Sequence, residues 1–366
     1  MEVSLLDTRF RIPFSLILFV AAAALTLVLT PWARGLALRL GALDHPGPRR
    51  VHEAPLPKLG GLAMAIAVLV VAWAAYGLPG PLRGIDPAPL MGFTVASMLI
   101  LAGGIADDLR GVSPPVKLLV QAAAAVTLSF FGLGIPVISL PFAGPIESGP
   151  LNVPLTILWV TIVTNSINLI DGLDGLAAGV VLIASMTLWW VGRTHADLYV
   201  MFMTAIVAGS TLGFLRYNFP PARVFMGDTG SQFLGFALAT VSLIDNRKGT
   251  TTITLLFPLV VMGVPVLDGA LAFVRRLMHK RSVFKADSEH LHHRLLRIGL
   301  SQRSAVLVLW YVCAYLGVMA VVLSALPRGY SWFLLALLAM GLYLAFEILE
   351  FIDRRLSSGD TKHRPR

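Results

Sequence analysis

Four short polar clusters interrupt a chain that is otherwise strongly apolar. They occupy residues 104–110, 168–175, 225–231 and 290–294, and each lies at the end of an apolar stretch. A carboxylate at such a place is costly unless function requires it. If all four clusters lie on one face of a membrane, we expect them to form a single acidic site that binds a metal ion.

The first cluster contains two adjacent carboxylates, Asp107 and Asp108. Neighbouring side chains on a helix diverge by about 100°, so this pair is not expected to chelate one ion equally. Separate tasks fit better, with one carboxylate beside a metal and the other a general base or a hydrogen-bonding partner. The alternative is a solvated pair at a helix end. Lys117, one turn before Gln121 on the next predicted helix, is suited to holding a phosphate.

The second cluster repeats polar side chains every three residues, at Asn168, Asp171 and Asp174. On a helical turn these side chains share one face, while Gly172 and Gly175 let the helix break or the backbone approach closely. A simple polar cap at the membrane interface is the alternative, but three such groups on one face favour a binding site.

The third cluster holds Asp228 between two glycines, just before an apolar span. Asp228 could cap the helix that follows. It could also serve as a Mg²⁺ ligand, since Mg²⁺ is usually bound by one or two carboxylates together with substrate phosphates. Phe225 is suited to packing, or to stacking on a nucleotide base.

The fourth cluster contains His290, His292 and His293. A zinc site is not expected, because no cysteine partner exists and adjacent histidines do not easily converge on one tetrahedral ion. The cluster instead resembles a set of donors to an anionic substrate, because basic residues surround it. These are Arg276, Arg281, Lys285, Arg294 and Arg297.

The composition predicts an all-α fold, a polytopic bundle of transmembrane helices in a single domain, 1–366. The chain has 366 residues, of which 56% are hydrophobic and 13% charged, more apolar surface than a soluble domain can bury. Eleven spans are expected, and the first is read as an uncleaved helix. They lie near 13–32, 60–78, 90–106, 115–134, 153–168, 173–191, 197–215, 230–245, 252–273, 305–325 and 332–350.

Charge distribution predicts the orientation. With the N-terminus outside and the C-terminus cytoplasmic, 22 of the 29 Lys and Arg residues fall on the inner side and 7 on the outer side, as the positive-inside rule requires. All four clusters are then cytoplasmic. The net charge of +9 therefore reflects topology, and no nucleic-acid partner is expected. A cytoplasmic loop, 275–304, carries the His cluster, and 357–366 is expected to be a disordered tail.

Acidic groups for a divalent cation beside a basic loop for phosphates indicate phosphoryl transfer from a nucleotide donor to a lipid acceptor. No P-loop motif occurs in the sequence. A cation- or proton-coupled transporter is the alternative from another class, because intramembrane carboxylates also line ion pathways. Against it, the carboxylates gather at one face and no inverted repeat is visible. A non-catalytic scaffold would require the carboxylates to be dispensable.

Together the clusters resemble the polyprenyl-phosphate N-acetylhexosamine-1-phosphate transferase family over roughly residues 45–305, including the segment 52–61 that begins at His52. Members move a sugar 1-phosphate from a UDP-sugar to undecaprenyl phosphate and release UMP. The resemblance implies that Asp228 binds Mg²⁺ (Mn²⁺ is an alternative), with Asp107 and Asp108 close by as further metal ligands. One of these two would deprotonate the lipid phosphate or organise the metal, and which does so is left open.

The resemblance also implies a substrate-binding set. Asp174 would lie near the uracil with Phe225 stacking on it, and Asn218 would lie near the metal. The full set is His52, Lys58, Lys117, Asn168, Asp171, Asp174, Asn218, Phe225, Arg276, His290, His292, His293 and Arg294.

The wording of the His loop narrows the branch. His-Leu-His-His-Arg-Leu, preceded by Asp287, resembles the bacterial branch that transfers GlcNAc 1-phosphate from UDP-GlcNAc to undecaprenyl phosphate, the first membrane step of teichoic-acid, lipopolysaccharide O-antigen and related cell-wall glycans. The alternative is the UDP-MurNAc-pentapeptide enzyme of peptidoglycan synthesis. The site is then expected on the cytoplasmic face of the inner membrane, and a homodimer is left open.

Overall fold

The computed structural model describes residues 8–46, 54–78, 82, 85–140, 144–246, 260, 263, 266–267, 291–326 and 328–360. Within these residues the chain forms eleven α-helices. They are α1 (Thr8–Leu40), α2 (Gly60–Gly77), α3 (Ala88–Arg110), α4 (Pro114–Phe130), α5 (Asn152–Ile170), α6 (Leu176–Thr194), α7 (Leu198–Asn218), α8 (Gly227–Asn246), α9 (Leu291–Arg297), α10 (Gln302–Ala325) and α11 (Arg328–Asp360).

The predicted, mostly helical fold with several membrane-length helices is confirmed, whereas the count of eleven spans and the orientation stay predictions. Seven of the described helices are long and apolar enough to cross a membrane, namely α1, α2, α3, α5, α6, α7 and α10. Helix α4 and the stretch Phe333–Ile348 of α11 are shorter apolar segments. Ten of the eleven predicted spans coincide with helices, and the remaining one, 252–273, lies largely outside the described residues.

Three details of the sequence-based prediction need correction. The fold is not purely helical: β1 (Leu43–Asp44) pairs antiparallel with β2 (Leu56–Pro57), and β3 (Val137–Leu140) pairs antiparallel with β4 (Gly144–Glu147). Such two-stranded ribbons let extended loop segments satisfy their backbone hydrogen bonds, and they leave no long periodic pattern in the sequence. Helix α1 continues beyond residue 32 to Leu40. Helix α11 continues to Asp360, so residues 357–360 of the predicted tail are helical.

Helices α7 and α8 form the centre of the bundle. Helix α7 packs against α1 and α6, and the hydroxyls of Thr26 and Ser210 lie 2.9 Å apart across the first of these contacts. Helix α8 packs between α3 and α5, where the rings of Phe93 and Phe236 stack with centroids 6.0 Å apart. Because α8 is enclosed by other helices, the residues at its first turn are held in place from several sides.

Candidate active site

Residues from all four polar clusters line one cavity of about 530 Å³. The contributions are Asp108 from α3, Asn168 and the 171–174 loop after α5, Asp228 from the start of α8, and His293 from α9. The prediction that the clusters converge is therefore confirmed, although the individual roles of their residues stay predictions. The remaining lining residues are Asp44, Lys58, Lys117, Asn218, Phe225, Gly227 and Gln302.

The two carboxylates at the end of α3 diverge as predicted and contact different partners. Asp107 accepts a hydrogen bond from the backbone N–H of Val112 at 2.6 Å and forms an ion pair with Lys117. Asp108 instead accepts three hydrogen bonds from the first turn of α8. The backbone N–H groups of Asp228 and Thr229 each lie at 3.0 Å from it, and the Thr229 hydroxyl lies at 2.6 Å.

Lys117 links two of the cluster carboxylates. It lies in the first turn of α4, and its ammonium contacts Asp107 and lies 3.0 Å from Oδ1 of Asp228. Two negative side chains therefore share one positive charge at the edge of the cavity. This arrangement holds the carboxylates of Asp107 and Asp228 close together despite their mutual repulsion.

The start of α8 is shaped by close backbone packing. Gly227 has φ +69, a conformation that favours glycine, and a side chain there would collide with Asp108. A Cβ on Gly104 would lie 2.6 Å from Cα of Thr229. The capping role considered for Asp228 belongs instead to Asp108, because its carboxylate, reaching across from α3, accepts the first amides of α8. The Asp228 side chain turns toward Lys117.

The loop after α5 differs from the predicted helical stripe. Helix α5 ends at Ile170, so Asn168 is helical whereas Asp171 and Asp174 lie in a turn that closes with Gly175 at φ +73. The two glycines of the cluster favour this turn over further helix. All three polar residues nevertheless line the cavity. Burial first, and then the negative charge of Asp228 and nearby carboxylates, raise the pKa of Asp171 well above its usual range.

Two predicted substrate contacts also brace the loops around the cavity. Asn218 accepts a hydrogen bond from the backbone N–H of Gly175 at 3.0 Å and donates one to the carbonyl of Val224 at 3.0 Å. Asp174 accepts a hydrogen bond from the backbone N–H of Ala222 at 2.9 Å. These bonds tie the turn after α5 to the segment that leads into α8.

The segment before α2 joins the same wall of the cavity. The backbone N–H of Phe225 donates to the carbonyl of Pro57 at 2.8 Å, and the N–H of Gly60 donates to the carbonyl of Phe225 at 3.0 Å. This ladder places Lys58 beside Phe225, and both line the cavity. Residues 57–61 and 225–226, which are far apart in the sequence, therefore form one strip of the site.

Two neighbouring residues of the fourth cluster, His293 and Arg294, face different surroundings. His293 lines the cavity. Arg294, predicted to bind substrate, does not: it is buried, its guanidinium lies 3.0 Å from Oε2 of Glu350, and it sits 4.9 Å from the ring centre of Phe346. Consecutive residues on a helix cannot face one direction, so one of the two had to turn away. His52, Arg276 and His290 lie outside the described residues, as does the side chain of His292.

Two cavity residues, Asp44 and Gln302, belong neither to the four polar clusters nor to the predicted site set. Asp44 lies in β1, and Gln302 is the first residue of α10. Neither belongs to a polar cluster or a periodic pattern, so the sequence alone offered no signal beyond their positions in predicted inner loops. Within the described residues, no group of three or more His, Cys, Asp or Glu side chains is arranged to hold a metal by itself.

Known proteins are similar to this chain across the region that forms the site. The family described as "Glycosyl transferase family 4" matches residues 90–246. A probable undecaprenyl-phosphate N-acetylglucosaminyl 1-phosphate transferase of Bacillus subtilis is 36% identical over 338 residues, which cover 92% of each chain. A decaprenyl-phosphate N-acetylglucosaminephosphotransferase of Mycolicibacterium smegmatis is 37% identical over 84% of this chain and 82% of the relative.

A third relative is less similar in sequence but also aligns over most of its length. The undecaprenyl-phosphate alpha-N-acetylglucosaminyl 1-phosphate transferase of Escherichia coli K12 is 27% identical over 88% of this chain and 89% of its own. Similarity over nearly the whole length of each protein, together with the convergence of the four clusters, agrees with the resemblance found in the motifs. The chain therefore belongs to glycosyl transferase family 4, among the polyprenyl-phosphate N-acetylhexosamine-1-phosphate transferases.

Proposed function

We propose that the protein transfers GlcNAc 1-phosphate from UDP-GlcNAc to undecaprenyl phosphate, giving undecaprenyl-diphosphate-GlcNAc and UMP. The observation that carries this proposal is the convergence of the acidic clusters, Lys117 and His293 on one cavity at the ends of membrane-length helices. The names of relatives that align over most of the chain support GlcNAc as the sugar and a polyprenyl phosphate as the acceptor. The predicted topology puts this cavity on the cytoplasmic face of the inner membrane.

The donor set suits Mg²⁺, with Mn²⁺ as an alternative. Asp228 and Asp107 offer carboxylate oxygens on either side of one ammonium group, and Mg²⁺ is typically held by one or two carboxylates plus substrate phosphates. These two residues would hold the ion, which would offset the charge that develops on the leaving phosphate. Asp108 is left out of this set in our proposal, because its carboxylate accepts three hydrogen bonds that hold the first turn of α8, whereas Oδ2 of Asp107 faces the Lys117 ammonium that it shares with Asp228.

The transfer is a displacement at the β-phosphorus of UDP-GlcNAc. An oxygen of the lipid phosphate forms the new P–O bond, the bond to the bridging oxygen breaks, and UMP leaves with the electron pair. Direct attack is favoured over an aspartyl-phosphate route, because a lipid phosphate is already an ionised nucleophile at neutral pH. Where the lipid phosphate still carries a proton, one of Asp107 and Asp108 would accept it, and Lys117 would add positive charge beside the reacting phosphates.

Other residues that line the cavity suit the nucleotide. Asn168 and the turn containing Asp171 offer amide and carboxyl groups, and Phe225 offers an aromatic ring on which uracil can stack. The Oδ1 atom of Asn168 accepts a hydrogen bond from the Ser231 hydroxyl at 2.6 Å, which fixes the amide in one orientation. His293 and Lys58 lie at the same cavity and would contact the donor phosphates or sugar.

UMP release by detergent-purified protein tests the proposal. The assay contains undecaprenyl phosphate, Mg²⁺ and, in separate reactions, UDP-GlcNAc, UDP-GalNAc or UDP-MurNAc-pentapeptide. We expect lipid- and Mg²⁺-dependent release, greatest with UDP-GlcNAc, that is lost in Asp228→Ala. Asp86→Ala is the matched control, because Asp86 is exposed at the opposite end of α3. No release from folded protein with any donor, or full release by Asp228→Ala, would contradict the proposal.

A further inference from the structure

Helix α9 presents adjacent residues to two different surroundings. His293 lines the cavity, whereas Arg294 is directed toward the C-terminal helix α11. The Arg294 guanidinium lies 3.0 Å from the Glu350 carboxylate and 4.9 Å from the ring centre of Phe346. Helix α9 is thereby attached to a helix of which no described residue lines the cavity.

Two observations make this contact important for the position of α9. Arg294 is only 3% exposed, and breaking one side of a buried ion pair leaves an uncompensated charge. Helix α9 has seven residues, which is too short to be stable through its own hydrogen bonds. Its direction in space therefore depends on its contacts with α10 and α11.

We propose that α11 positions His293 in the cavity through the contact between Arg294 and Glu350. Arg294 and Glu350 are then positioning residues, and they act on the donor through His293 rather than by touching it. This inference rests on the proposed function, since it assigns His293 to donor binding. It also makes the C-terminal helix part of the machinery that determines donor affinity.

A kinetic double-mutant cycle tests the coupling. We expect Glu350→Gln to raise the KM for UDP-GlcNAc by about 2- to 30-fold, the range of couplings transmitted through packed networks, with the KM for undecaprenyl phosphate unchanged. In the His293→Ala background the same change should have no further effect, because its target is gone. Glu347→Gln is the matched control, since it removes an equal charge from an exposed position one turn away. An unchanged donor KM in Glu350→Gln, or effects that multiply in the double variant, would overturn the proposal.

Hydrogen exchange tests the same contact without catalysis. In the full-length protein, Glu350→Gln should speed amide exchange across Leu291–Arg297, whereas Glu347→Gln should leave it at the wild-type rate. Unchanged exchange in Glu350→Gln would show that the contact does not hold α9 and would overturn the inference by itself. Failure of the wild-type protein to release UMP would instead count against the proposed function, so the two failures are distinguishable.

Discussion

Replacing Asp108 by asparagine tests whether this carboxylate acts on Asp228 through helix α8 rather than on the metal. Asp108 accepts two backbone N–H groups at 3.0 Å and the Thr229 hydroxyl at 2.6 Å. Asparagine keeps one acceptor oxygen, so one buried N–H loses its partner at a cost of about 1–3 kcal/mol. Losing the negative charge at the helix N-terminus costs about 0.3–1 kcal/mol more, and up to about 2 when partly buried. We expect the free energy of unfolding to fall by about 1–5 kcal/mol.

The assay combines unfolding with a Mg²⁺ titration of UMP release. Unfolding in detergent without divalent ions measures the loss of stability. A shifted first turn of α8 misplaces Asp228, so kcat should fall by about 10²-fold, the effect typical of a misplacement near 1 Å. The Mg²⁺ concentration that gives half-maximal activity should change little, whereas Asp228→Asn should lose most of its response to Mg²⁺. Thr229→Val serves as the control and should lose less stability than Asp108→Asn, because it removes only the hydroxyl bond to Asp108 and keeps both backbone bonds.

Two results would refute this reasoning. If Asp108→Asn unfolds like the wild-type protein, its three hydrogen bonds do not stabilise α8. If the same variant also shifts the Mg²⁺ requirement as far as Asp228→Asn does, then Asp108 is a metal ligand, as the resemblance to the family first implied.

Three further predictions concern the charge and packing of the site. Asp171→Asn should remove a pH dependence: with a raised folded pKa, the folded protein holds a proton that the unfolded chain releases, so wild-type stability falls as pH rises from about 4. Parallel plots of Tm against pH for wild type and variant would contradict this. Lys117→Met should lower UMP release by about 10²-fold or more, because it leaves two adjacent carboxylates without their cation; activity within a few-fold of wild type would contradict it. Gly104→Ala should destabilise the protein by about 1–3 kcal/mol, because its methyl group would lie 2.6 Å from Cα of Thr229. Gly35→Ala, which lies within α1 with nothing within 4 Å, should not lower the unfolding midpoint, because alanine is the better helix former, and equal midpoints for the two alanine variants would contradict the packing argument.

Local patterns in the sequence are enough to predict most of the helices and several residues of the site. Apolar stretches of spanning length identify helices without tertiary information, because a bilayer requires about 20 apolar residues per helical crossing. A carboxylate next to such a stretch is costly, and that cost singles out Asp107, Asp171 and Asp228. The divergence of Asp107 from Asp108 also follows from the geometry of a helix alone.

The conformation of the loop after α5 could not be predicted from local sequence patterns. A spacing of three residues places Asn168 and Asp174 on one face only if the helix continues, and the helix ends at Ile170. Asn168 reaches the cavity from the end of α5, whereas Asp174 reaches it because the turn folds back, held by the backbone N–H groups that donate to Asn218 and Asp174. Such bonds join residues more than 40 positions apart, so no local pattern records them.

The sequence by itself determined the helical membrane class and the four clusters, because hydrophobic burial and charge cost act on each segment separately. Only the tertiary structure decided what each polar side chain does. In the folded protein, Asp108 accepts hydrogen bonds from the first turn of α8. Lys117 pairs with Asp107 and Asp228, and Arg294 contacts Glu350 instead of the cavity. The physical reason is that the role of a charged side chain depends on the groups it contacts. Those groups lie on other helices, which only the tertiary structure brings together.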